Sequence, residues 1–312
     1  MTWRQVLDVF DLLDSASVDG EQVAAVLRSG GVDDITVIRA HGDHGHTDFV
    51  KAVIPGSQGR QAGGVAPTLG IIGRLGGLGA RPERIGFVSD GDGALTALAS
   101  ALKLGMMSQR GDVLPGDVIV ATHICPDAPV RPHDPVPFMG SPVNGGLMNQ
   151  NEIDERMDAI LTVDTTKGNR IVNVRGFAIS PTVLQGYILR VSEDLLDLMQ
   201  WVTGKLPVVF AITTQDITPY GNGVFHLNSI LQPAAAAKVP VVGVAITTEV
   251  PVPGSGTGVT HLDDVDSAVR FCLEVAKAFG AGSCRFHDDE EYRHLVELYG
   301  DMTRLQTLGQ PQ

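Results

Sequence analysis

Acids and histidines recur directly after apolar runs in this chain, and that recurrence is its clearest chemical signal. Ile85–Val88 leads into Asp90-Gly91-Asp92-Gly93, and Val118–Ala121 into His123 and Asp127. Ala159–Val163 leads into Asp164-Thr165-Thr166-Lys167, and Leu206–Ile212 into Asp216, Tyr220 and His226. Pro240–Ile246 is followed by Glu249, and the densest ligand cluster, His41 to Asp48, stands between two further β-rich runs. Carboxylate and imidazole are ligands that zinc, manganese and iron accept. Carboxylates crowded together without a cation repel one another and raise their pKa values. A divalent ion relieves this and lowers the pKa of bound water enough for it to attack an amide near neutral pH. Lys167 offers a different chemistry, a contact to phosphate or to a substrate carboxylate oriented by the neighbouring threonine hydroxyls. Against each residue stands the plain alternative of a turn residue or helix cap. His123 and Asp164 depart furthest from it, because each follows a run apolar enough to be buried and a buried ionisable group needs a partner.

The elements that must position these groups are legible from periodicity. Leu95, Leu98, Ala99 and Leu102 fall at helical spacing after the Asp90–Gly93 loop. Helices are predicted over Val6–Leu13, Glu21–Arg28, Ser192–Thr203 with Ser192 as cap, Asp263–Phe279 and Glu290–Leu308, and from Pro67 through Ile71, Ile72, Leu75 and Leu78. Strands are predicted at Ile35–Arg39, Phe49–Ile54, Arg170–Gly176 and the apolar runs named above. The alternation implies one α/β domain over residues 1–312 with a mostly parallel or mixed central sheet and helices on both faces. An irregular, proline-rich loop insertion occupies roughly 124–150. In such sheets ligands bind beyond the carboxyl ends of the strands.

Composition narrows the function classes. The 312 residues carry a net charge of −13, which disfavours nucleic acid or an anionic membrane surface as the main partner and leaves a small-molecule substrate. No apolar stretch is long enough to span a bilayer. The three cysteines are widely spaced without a CxxC, so neither a disulfide framework nor a thiolate zinc ribbon is indicated. Cys125 beside His123 lacks any confirming nucleophile motif, and GxSxG and GxxxxGK[ST] are both missing. The acidic amphipathic start lacks the features of a signal peptide, which predicts a cytoplasmic protein. A homo-oligomer is compatible with the 37 glycines, which favour close backbone packing.

Two resemblances attach to particular strings. APTLGIIGRLGGLGARPE, VSDGDGALTALASALKLG, THICPDAP, PHDPVPFMGSP, VDTTKGN, GFAISPT and QDITPYGNG resemble the hallmark segments of the domain-of-unknown-function family 1177. That resemblance covers nearly the whole chain and implies no activity. More distantly, the order His46-Thr47-Asp48, Asp90 or Asp92 before a helix, His123 and Asp127, Asp164, and His226 is similar to that of co-catalytic zinc aminopeptidases and deacylases. The Glu-Glu pair that supplies their general base is missing, and His226 lies far from the C-terminus. This second resemblance implies an aminopeptidase-like fold and a divalent metal, zinc or manganese, held by Asp48, Asp90, His123, Asp164 and His226. Asp92 or Asp127 would then be the general base. Lys167, Thr165, Asp216 and Tyr220 would contact substrate. The expected function is metal-dependent hydrolysis of amide bonds in short peptides or acylated amino acids; the alternative is a non-catalytic small-molecule binding protein.

Overall fold

A computed structural model describes residues 2–74, 86–132, 138–212, 229–252 and 259–306. Its strands are β1 (Asp34–Gly42), β2 (Gly45–Ile54), β3 (Leu69–Gly73), β4 (Val118–Ile124), β5 (Val130–Arg131), β6 (Phe138–Met139), β7 (Ala159–Thr165), β8 (Gly176–Ile179), β9 (Val183–Leu184), β10 (Tyr187–Ile188) and β11 (Val241–Thr247). Its α-helices are α1 (Trp3–Leu13), α2 (Gly20–Ser29), α3 (Asp92–Ser108), α4 (Gly145–Glu152), α5 (Glu193–Thr203), α6 (Leu262–Gly280) and α7 (Asp289–Tyr299).

The main sheet is mixed, in the order β1-β2-β4-β3-β7-β11-β9-β10, with β8 also paired to β11. Its centre, β4-β3-β7-β11, is parallel. These four strands read as near-continuous apolar runs because both of their faces are covered. Helices α1, α2, α3, α5 and α6 pack on one face. Val118, Val120 and Ile124 of β4 point into that larger core, whereas Ile119 points into a second core that includes Leu231 and Ala234. Helix α4 and a 3-10 segment at Ser229–Ala235 lie over this second face.

The topology itself marks a crevice. The next parallel strand after β3 is β4, on one side; the next after β7 is β11, on the other. Chain exits in opposite directions from neighbouring parallel strands define a switch point, where the loops part and a ligand can enter. The switch point here lies at the carboxyl ends of β3 and β7.

Several sequence expectations are corrected. Of the segment expected to be a helix from Pro67, Leu69–Gly73 is β3, a fully buried central strand, and Leu75 and Leu78 lie outside the described residues; a short apolar run fits both periods, and burial on both faces decides for the strand. The expected strand at 85–88 is not one. Ile85 lies outside the described residues, Gly86 has φ +90°, and Phe87 and Val88 lead directly into a 3-10 turn at Ser89–Gly91. Arg170–Arg175 forms no strand, and Leu206–Ile212 contributes only an isolated parallel bridge from Val209 to Ile179. The His41–Asp48 cluster is not a loop after a parallel strand. It is the tip of the antiparallel β1–β2 hairpin, where His41 pairs with His46 and Gly42 with Gly45 around a two-residue turn. The irregular insertion contains the small β5–β6 pair and α4. Helices α1, α2, α5 and α6 stand close to where periodicity puts them; α7 starts as expected but ends at Tyr299, where Gly300 follows with φ +77°, rather than running on towards Leu308.

Candidate active site at the carboxyl edge of the parallel strands

On the larger-core face, α3 drives its amino end against the switch point. A Cβ added at Gly93 would lie 2.4 Å from the Arg74 carbonyl oxygen and 2.5 Å from that of Val163. Only glycine lets the helix come so close to the ends of both strands. Asp92, the first residue of α3, is thereby buried to 1% exposure. Its Oδ1 accepts a hydrogen bond from Thr260 Oγ1 at 2.9 Å, just ahead of α6. Burial pushes the Asp92 carboxyl up to about 7; Lys167 and the Thr260 hydrogen bond pull it down, while Asp90 and Asp264 push it further up. Asp264, in the first turn of α6, is itself raised, first by burial and then by its neighbour Asp263. The Ser89–Gly91 turn packs against β7, so Asp90 joins this group.

The opposite face carries a second buried polar group. His123, Arg74 and Asp164 occupy neighbouring positions on β4, the end of β3 and β7, in register and on one side of the sheet. His123 Nδ1 lies 2.7 Å from Glu152 Oε1, and Arg74 Nε lies 3.1 Å from Glu152 Oε2, an ion pair off hydrogen-bond alignment. Arg74 also donates to Gln232 Oε1 at 2.9 Å and to Asn149 Oδ1. Glu152 is fully buried and Arg74 nearly so. A buried charge pair persists only when its remaining polar atoms are met, and here α4 and the 3-10 segment meet most of them. Asp164 is buried and accepts from the Thr165 N–H at 2.7 Å.

The sequence-predicted residues divide accordingly. Asp90 and Asp92 come together on one face, where the charge of Lys167 acts on Asp92, and His123 and Asp164 share the other. Asp48 is brought to the same edge but points into the α2 side: Arg39 grips both of its oxygens at 2.7 and 2.9 Å, and Gly20 N–H donates to it at 3.0 Å. The Arg39 hydrogen bond holds its carboxyl below the usual range. Antiparallel pairing sets Asp48 opposite Ile124 and Phe49 opposite His123, so Asp48 and His123 face away from each other. Asp127 is exposed in the turn after β4. The Thr165 hydroxyl donates to the Ile246 carbonyl at 3.3 Å. Asp216, Tyr220 and His226 lie outside the described residues. Cys125 is buried, and burial pushes its thiol up to about 12, which makes it inert as a nucleophile.

Among the described residues no three His, Cys, Asp or Glu side chains gather as metal ligands. The described part of the expected set does not fit a zinc or manganese centre, since Asp48 is committed to Arg39 and His123 Nδ1 to Glu152. Arg74, Glu152, Asn149 and Thr260 were not anticipated from the sequence. Arg74 carried a usable signal, an ionisable residue directly after a buried apolar run, hidden by reading that run as a helix.

The fold is thus a mixed α/β sheet with a parallel centre and a switch-point crevice. Residues 38–309 match the family described as "Protein of unknown function (DUF1177)", and the chain belongs to that family. No curated protein matches the chain. Among the described residues no helix is long and apolar enough to cross a membrane.

Proposed function

We propose that the crevice between β3 and β7 is the active site of a hydrolase of amide bonds in small molecules, such as short peptides or acylated amino acids. Asp92 is its general base, and Lys167 holds the substrate's carboxylate or the developing oxyanion. The observation that carries this reading is the placement of a buried carboxyl, oriented by Thr260 and within the field of Lys167, at the switch point. A carboxyl titrating near 7 is partly ionised at neutral pH and takes a proton efficiently. Water attacks the amide carbonyl carbon while Asp92 accepts its proton. The C–N bond then breaks and that proton passes to the leaving amine. The described residues do not assemble a metal site, and the likeness to zinc aminopeptidases rests on motif order alone.

The test is a panel of dipeptides and N-acetyl amino acids followed by mass spectrometry. The wild type should hydrolyse at least one member, and Asp92→Asn should lower its kcat/KM by about 100-fold or more. Equal turnover by both proteins would remove Asp92 from the reaction. A second reading, a binding protein without turnover, is favoured by the way His123, Glu152, Arg74 and Asp48 are each engaged by protein partners. A panel member that raises the melting temperature and is never consumed would select it.

A further inference from the structure

A cavity of about 690 Å³ opens over the second face of the sheet, the face opposite Asp92. Its floor is apolar. Ile153 and Met157 lie where the chain approaches β7, Val239 where it approaches β11, and all three join the second core. Helix α4 forms one wall. Its first turn lies hard against the 3-10 segment, where a Cβ on Gly145 would fall 1.6 Å from Gln232 Nε2. Its last residue, Glu152, is held by Arg74 and His123. Fastened at both ends, α4 cannot slide in to fill the space. The volume falls within the range of small-molecule sites, about 300–1,000 Å³, and an apolar lining with a few polar groups is their usual make-up. The polar groups here are particular. Asn149 borders the cavity and is 5% exposed. Arg74 donates to its Oδ1, which fixes the orientation of the amide. Its Nδ2 donates to the Gln232 carbonyl oxygen at 3.4 Å, and the second Nδ2 hydrogen has no partner among the described residues. A guanidinium on the oxygen side polarises the amide and strengthens the donor that is left. On the rim, Lys238 is exposed and makes no ion pair among the described residues. Asp154 is taken by Lys51 at 3.3 Å and by Arg156 at 2.8 Å, and Glu155 is exposed.

We propose that this cavity binds a small apolar carboxylate, whose hydrocarbon body lies on Ile153, Met157 and Val239 and whose carboxylate accepts from the Asn149 amide within the field of Lys238. The hydrocarbon supplies most of the affinity and the polar end sets the orientation. The groups left open decide the sign of that end. The buried one is a donor, and the cation on the rim has no partner. An ammonium would find only Glu155 uncommitted among the rim acids, on a long and exposed side chain that gains little from pairing. The net charge of −13 acts against any anion at long range. Salt screens it beyond about 8–10 Å, so the nearby donor and cation prevail. The inference goes beyond the hydrolase reading and does not depend on it, since the cavity and Asp92 lie on opposite faces of the sheet and no step of amide hydrolysis uses Asn149 or Lys238.

Naphthalene-2-carboxylate is the probe, with naphthalen-2-ylmethanol and naphthalen-2-ylmethylammonium as comparisons that keep the body and change the end. None contains an amide bond, so binding is read independently of hydrolysis. Calorimetric titration of the full chain should give saturable binding of the carboxylate, weaker binding of the alcohol and the weakest of the ammonium. In NMR the carboxylate should move the backbone amide signals of Gly146, Ala235 and Val239 and shift the Asn149 side-chain amide downfield. Lys238→Gln should weaken the carboxylate about three- to fivefold, the worth of an exposed ion pair, and leave the alcohol unchanged. Ala236→Trp, at an exposed position on the cavity wall, should fill the opening and weaken binding by about tenfold or more while the melting temperature holds. An ammonium that binds as tightly as the carboxylate would overturn the proposal. So would an Asn149 side-chain amide unmoved at saturation, or wild-type affinity in Ala236→Trp. Shifts centred on Asp92 and Gly93 would also overturn it, by placing the carboxylate in the crevice between β3 and β7. No binding of any of the three beside intact amide turnover would remove this site and leave the hydrolase reading standing.

Discussion

Replacing Asp92 with asparagine should make the protein more stable at pH 8 and change it little at pH 4. The folded carboxyl sits at about 7 against an ordinary value of 3.8, chiefly because burial penalises its charged form. A group raised in this way contributes stability that is fully present below the unfolded pKa and is lost as pH climbs through the folded one. Between about pH 4 and 7 the unfolded chain has released this proton and the folded chain still holds it, so folding is progressively penalised. A displacement of about three pKa units corresponds to roughly 4 kcal/mol at pH 8. Asparagine removes the charge, keeps the volume and still accepts from the Thr260 hydroxyl. Urea denaturation of both proteins at pH 4 and pH 8 measures the effect. The advantage of the variant should grow by roughly 4 kcal/mol across that window. Titrating groups away from Asp92 are present in both proteins and cancel from the difference, whereas Asp90 and Asp264, which push the Asp92 carboxyl up, are part of the effect measured. Lys167→Met should enlarge the effect, because Lys167 stabilises the ionised carboxyl. A difference between the two proteins that stays the same at both pH values would refute the burial and charge environment assigned to Asp92.

Two further outcomes follow from the packing. Glu152→Ala leaves the Arg74 guanidinium buried without its counter-charge and should cost about 3–5 kcal/mol in denaturant unfolding, most of it recovered in the double variant Arg74→Met/Glu152→Leu. Gly93→Ala brings a methyl group within 2.4 Å of the Arg74 carbonyl oxygen, and neither backbone can yield cheaply. It should lower the melting temperature and displace the amino end of α3, measured by calorimetry and by loss of the native amide shifts of Asp92 and Ala94.

Local signals were the most legible. Ser192 accepts from Leu195 N–H and Gly204 adopts φ +67° at the two ends of α5, where a cap residue and a glycine mark them in the sequence. His123 and Asp164 were legible as buried ionisable groups because the runs before them are so apolar. What the sequence could not show was the partner. Glu152 reaches His123 from 29 residues away across an irregular insertion, and no local pattern links them. The short apolar runs misled in both directions. Leu69–Gly73 carries a helical spacing and is a strand. Phe87-Val88 looks like a strand and is a buried lead-in to α3, since Gly86 takes a left-handed turn and Phe87 N–H is tied to Asp14 Oδ1 at 2.5 Å. Asp48 failed for a topological reason. An antiparallel neighbour brought it to the right edge of the sheet, but the pleat turned it to the face opposite His123.

The most direct test of the central claim is a carbon-13 NMR titration of the Asp92 carboxyl, assigned with Asp92→Asn and repeated in Lys167→Met. The wild-type midpoint should fall near 7 and move upward when Lys167 is removed. A midpoint in the ordinary carboxylate range, or one indifferent to Lys167, would contradict the claim that a buried carboxyl and a lysine meet at the switch point to do chemistry.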